Sequence, residues 1–140
     1  MKLLLDTHIW LWSKLEPKRL GRRVRAELSS SDNELWLSPV SAWETLVLMQ
    51  QGKIRVENPF GWVRRAIEQL REAPITHEIV STGLALDWPH NDPADRFLAA
   101  TAKVLDLTLV TADQRLLSSR GNFEFSESMR ARDSWLIAEC

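Results

Sequence analysis

The chain has 140 residues, long enough to bury a real core and too short for two ordinary domains, so a single unit over 1–140 is expected. Its hydrophobic fraction of 44% and charged fraction of 26% exclude a disordered chain, and no apolar run approaches the roughly 18 residues of a membrane span. With 18 basic and 19 acidic residues the net charge is −1, which neither demands nor excludes nucleic acid, and a single cysteine, Cys140, fits a reducing, cytoplasmic setting without an internal disulfide.

The first element is "KLLLD", an apolar run from Lys2 closed by Asp6, as expected of a parallel strand buried on both faces. Asp6 and His8 interrupt the run and no small-residue cleavage site follows, which argues against a signal peptide. In "PKRLGRRVRAELSS", Leu20, Val24 and Leu28 recur at helical spacing while Lys18, Arg19, Arg22, Arg23 and Arg25 spread over the rest, predicting a basic-faced amphipathic helix. "ELWLSP" reads as a second strand; Ser38 then caps a helix with Pro39 at its first position, running to Gly52.

In "NPFGWVRRAIEQLREA", Phe60, Val63, Ile67 and Leu70 form one stripe and predict a helix, followed by a short strand in "API" and a helix in "HEIVSTGLAL". Asp92 as N-cap and Pro93 at the first helical position open a further helix that reaches about Asp106. "LTLVTAD" is β-rich and ends in Asp113; the tail from Arg120 holds an edge strand in "NFEF" and an amphipathic piece around "SWLIAEC" that has no assigned place. Alternating strands and helices predict a three-layer α/β/α fold around a mainly parallel sheet, with Asp6 and Asp113 at the strand ends where such sheets bind ligands.

Two acids sit where helices should be apolar. Asp95 has Leu98, Ala99 and Ala102 as helical neighbours; it serves either as a first-turn acid at the helix N-terminus or as part of a site, and the sequence leaves both open. Glu44 lies among Val40, Ser41, Val47 and Leu48; Pro39 makes Ser38 the cap and places Glu44 beyond capping reach, which favours a site. Strand-end aspartates such as Asp6 and Asp113 commonly cap the next helix or turn. Taken together, four inward or strand-end carboxylates suggest one cluster, and like charges that close need a counter-cation. All-oxygen donors select Mg²⁺ or Mn²⁺, whose chemistry is activation of water and stabilisation of a phosphodiester under attack.

"LLLDTHIWLW", "SPVSAWETLVLMQQGKI" and "NDPADRFLAATAKVLDLTLVTADQRLL" resemble, in order and from Met1 to about Leu117, the successive motifs of PIN-domain nucleases of the small VapC toxin type. The resemblance implies a metal-dependent endoribonuclease whose carboxylate quartet matches Asp6, Glu44, Asp95 and Asp113, with Thr111 as the polar residue two before the last acid and Asp92 a further acid near the pocket. It also implies a cognate VapB antitoxin covering the acidic pocket, and a toxin homodimer. After Leu117, from Ser118 to Cys140, the chain carries little of this signal.

Arg96 and Arg115, beside two of the acids, are candidate RNA contacts by sequence proximity, against the reading of ordinary surface arginines; the Lys18–Arg25 cluster is a broader candidate footprint. Seven tryptophans, Trp10, Trp12 and Trp43 among them, suit packing or interfaces better than base stacking, and His8 reads as structural. A haloacid-dehalogenase-type phosphatase would need a second aspartate where His8 stands. A non-catalytic module would not need inward carboxylates on two helices. A PIN nuclease of RNA processing, rather than a toxin, is the remaining alternative.

Overall fold

The computed structural model describes residues 1–86, 92–113 and the backbone of 135–137. In chain order the elements are β1 (Lys2–Leu5), α1 (Thr7–Leu15), a 3₁₀ turn (Pro17–Arg19), α2 (Arg22–Ser29), β2 (Glu34–Leu37), α3 (Pro39–Gln50), α4 (Pro59–Ala66), β3 (Arg71–Glu72), α5 (His77–Ala85), α6 (Pro93–Val104), β4 (Thr108–Thr111) and β5 (Trp135–Ile137). The strands form one parallel sheet in the order β3-β2-β1-β4-β5.

Because successive strand residues point to opposite faces, β1 sorts its leucines between two layers. Leu3 and Leu5 join Ile9, Trp10, Val24, Met49 and Val63 from α1 to α4 on one side, while Leu4 joins Leu98, Ala99 and Leu107 on the other. All three leucines are fully buried, as the continuous apolar run predicts for a central strand. Two helical layers around a parallel sheet are the three-layer architecture expected.

The topology creates a crevice. From β1 the chain steps outward through β2 to β3, then returns to place β4 on the opposite side of β1. The direction of winding therefore reverses between β1 and β4, and the carboxyl ends of these two strands flank the point where doubly wound sheets bind ligands. Asp6 follows β1 directly and its backbone N–H donates to Val110 at 3.0 Å; Asp113 lies two residues beyond β4.

Several expectations need correcting. The segment after Asp6 is a full helix, α1, which the sequence reading did not assign. The basic helix expected from Pro17 is broken: Leu20 is extended and Gly21 becomes the N-cap of a shorter α2, with Val24 buried. The helix expected through Leu70 stops at Ala66, because Arg71 and Glu72 pair with Trp36 and Leu37 on the sheet edge and Ala73 N–H donates to Leu37. Edge pairing thus falls just before "API", and Phe60, expected inward, is 69% exposed. "SWLIAEC" contributes Trp135–Ile137 as β5, parallel to β4. "NFEF" lies outside the described residues.

Ser38 and Asp92 cap α3 and α6 as expected: Ser38 Oγ accepts from Val40 N–H at 3.2 Å, and Asp92 Oδ1 accepts from Ala94 and Asp95 N–H at 2.9 and 3.4 Å. Pro39 and Pro93 take the first helical positions. α3 ends before Gly52, whose φ of 71° is the left-handed conformation that follows many helices.

Candidate functional site

Asp6 does two jobs at once. Its Oδ1 caps α1 by accepting from Thr7 N–H at 2.7 Å, and its Oδ2 accepts from the Thr111 hydroxyl at 2.7 Å. Thr111, fully buried at the end of β4, also accepts from Asp113 N–H at 3.0 Å. One hydroxyl therefore ties the end of β1 to the residue that leads into Asp113. Burial raises the Asp6 pKa, and the charge of Asp113 raises it further, against the lowering effects of Thr111, Thr7 and His8.

Glu44 approaches from α3, half-buried. Thr7 donates its hydroxyl to Glu44 Oε1 at 2.8 Å and also lies 2.9 Å from the Ser41 hydroxyl. The Glu44 pKa is raised by burial first; the Thr7 hydrogen bond lowers it, the charges of Asp6 and Asp92 raise it again, and His8 lowers it. Asp6 thus feels the charge of Asp113, and Glu44 the charges of Asp6 and Asp92.

Asp95 is the third residue of α6 and only 8% exposed. The cap that competed for its role belongs to Asp92, whose carboxylate receives the first-turn amides, Asp95 N–H included. Burial of a carboxylate that is not the cap favours the site alternative. Arg96 turns elsewhere: its guanidinium donates to the carbonyls of Gly83 at 2.9 Å and Leu86 at 3.1 Å, at the C-terminal end of α5. The side chain clamps α5 to α6, where a cation also suits the helix dipole. Arg96→Ala should cost about 1–2 kcal/mol of stability, read as a lower urea midpoint; an unchanged midpoint would mean that the clamp carries nothing. Arg115 lies outside the described residues.

Thr7 and Ser41 are the residues that sequence reasoning missed. His8 is exposed, and its ring meets Trp12 edge-on. The signal for Thr7 was present: a hydroxyl directly after a strand-end acid, on the first turn of a helix.

A profile of the PIN domain family matches residues 3–121. Ribonuclease VapC22 of Mycobacterium tuberculosis (strain ATCC 25618 / H37Rv) is 36% identical over 121 residues, covering 84% of this chain and 92% of that protein. The chain belongs to the PIN-domain family, among nucleases of the VapC type. The fold is also that of solved complexes. VapBC2 from Rickettsia felis, bound to a DNA fragment from their promoter, superposes with a TM-score of 0.65 at 17% identity over 87% of this chain and 93% of that one. VapBC-1 from nontypeable Haemophilus influenzae gives 0.64 at 17% identity over 98% of each, and a toxin–antitoxin complex from Klebsiella pneumoniae gives 0.62 at 18% over 98% of each.

The site's donor chemistry fits a hard divalent cation: its acids are carboxylates, two of them held at raised pKa by burial and mutual repulsion. Among the described residues no three such side chains stand close enough, as placed, to hold an ion together. The fit is one of donor type and charge.

Proposed function

We propose that this chain is a metal-dependent endoribonuclease, with Mg²⁺ or Mn²⁺ as cofactor, acting as the toxin of a VapBC pair. The observation that carries the reading is a chain of hydrogen bonds at the reversal point of the sheet: Thr111 joins the Asp6 carboxylate to the Asp113 backbone, and Thr7, next to Asp6, donates to Glu44. Asp6, Glu44, Asp95 and Asp113 would hold the ion, which supplies activation of water and stabilisation of the charge on the phosphodiester during hydrolysis. The chain's own residues prepare that event. Thr111 and Thr7 fix the carboxylates of Asp6 and Glu44, so that the ligands need little reorganisation.

The antitoxin partner is taken from the complexes the fold resembles: a VapB-type chain seated over the acids. A homodimer, a single domain over 1–140 and a cytoplasmic location belong to the same reading; no described helix is long and apolar enough to cross a membrane.

The test is cleavage of a mixed pool of structured and unstructured RNA by protein freed of its antitoxin. Scission is expected with Mg²⁺ and should stop with chelator. Scission that persists in chelator would overturn the metal assignment.

A further inference from the structure

One run of side chains leads away from the acids along the outer face of α1. His8, exposed on the first turn of α1, stands two residues after Asp6. Trp12, one turn further on, meets His8 edge-on, with ring centroids 5.9 Å apart and planes at 73°. Arg19 folds back from the 3₁₀ turn so that its guanidinium carbon lies 4.3 Å from the Trp12 ring centroid. Glu16 Oε2, 3.5 Å from Arg19 Nη1, steadies the same group. Arg22, Arg23 and Arg25 follow, exposed, on α2.

A guanidinium held on an indole ring has already given up much of its rotamer freedom and still offers an outer plane; the Arg19 side chain is 54% exposed. Unpaired bases stack on such planes, and an acidic pocket needs flanking cations to admit a phosphodiester. We propose that the His8–Trp12–Arg19 ridge receives a nucleotide flanking the cleaved bond in single-stranded RNA. Arg19 is the stacking plane, Trp12 holds it flat, and His8 meets the phosphate between that base and the acids. This rests on the nuclease reading, and it adds a strand path, a preference for unpaired RNA and three residues to it.

The test measures binding of a fluorescein-labelled single-stranded RNA to the full chain carrying Asp6→Asn, in Mg²⁺, by anisotropy across a salt series, with kcat and KM taken on the cleaving protein. Trp12→Ala and Arg19→Lys are expected to weaken binding roughly 5- to 100-fold, the loss typical of one stacked base, and to raise KM with kcat nearly unchanged. Arg19→Lys retains the charge and should keep the salt slope, whereas Arg19→Ala should reduce it by about one phosphate contact. Arg71→Lys, at the arginine over the half-buried Trp36 ring on the sheet edge, is the control and should bind like its parent. Arg19→Lys also guards against a folding defect in Trp12→Ala. If Arg19→Lys and Trp12→Ala bind as tightly as the parent while cleavage persists, the ridge is not on the RNA path and the nuclease reading stands. If the same variants bind RNA normally but release the antitoxin, the ridge is a protein-docking face and the RNA assignment falls. If the protein neither binds nor cleaves RNA, both readings fall together.

Discussion

Asp6→Asn is expected to reduce RNA cleavage roughly a thousandfold or more while raising the melting temperature of the metal-free protein at neutral pH. The loss follows from weakening an ion whose charge stabilisation is worth several kcal/mol, at about 1.4 kcal/mol per tenfold in rate. The gain follows from burial: the Asp6 carboxyl is raised above its ordinary pKa, first by desolvation and then by Asp113, so its ionised form opposes folding when no cation is present. Its favourable contribution is complete below about pH 4, near the unfolded value, and disappears as pH climbs through the raised folded pKa. Glu44 works in the same direction. The metal-free parent should therefore lose stability as pH rises above about 4, and Asp6→Asn should flatten that slope. Asparagine can still accept from Thr7 N–H, and its amide can donate to the Thr111 oxygen; the Thr111 hydroxyl proton loses the carboxylate that accepted it, which offsets part of the gain. Added Mn²⁺ should raise the parent's melting temperature at neutral pH and raise the variant's much less. Unfolding of Asp6→Asn would make the acid structural; full activity would remove it from the site. Asp95→Asn is expected to lose activity likewise, which separates its site role from the capping that Asp92 supplies.

The sequence carries the outline of this arrangement because its signals are local. Leu3 to Leu5 announce a buried parallel strand, and the pairs Ser38–Pro39 and Asp92–Pro93 mark helix starts to the residue. Glu44 and Asp95 stand out by breaking apolar faces. What the sequence hides is relational. That Asp6 and Asp113 flank one crevice depends on β4 returning to the far side of β1, which no periodicity records. The role of Arg96 in packing has the same origin: its guanidinium reaches the Gly83 and Leu86 carbonyls at the end of α5, which its place beside Asp95 in the sequence does not announce. Helix α1 escaped because "THIWLWSKL" mixes buried Ile9, Trp10 and Leu11 with outward His8 and a half-buried Trp12, leaving no clean stripe. The same gap concealed Thr7, whose partners Ser41 and Glu44 lie 34 and 37 residues further along.

Thr7→Val should lower kcat roughly a hundredfold, the size of effect that follows from a catalytic group displaced by about 1 Å. Valine nearly preserves the volume of threonine, so the buried site on α1 stays filled, but Glu44 and Ser41 both lose the hydroxyl they meet. That loss should also cost about 1–3 kcal/mol of stability, since it strands polar groups with little access to water. Thr7→Ser, which restores the donor, should recover most of both quantities. A purely structural role would lower stability alone; positioning of Glu44 predicts an additional signature. The Thr7 hydrogen bond lowers the Glu44 pKa against burial and the charges of Asp6 and Asp92. Without it the carboxyl titrates higher, so the acid limb of the pH–rate profile moves to higher pH in Thr7→Val and returns in Thr7→Ser. If Thr7→Val keeps the parent's kcat and pH profile, the hydroxyl is not what holds Glu44 in its working position, and the α3 acid is held by the helix backbone alone.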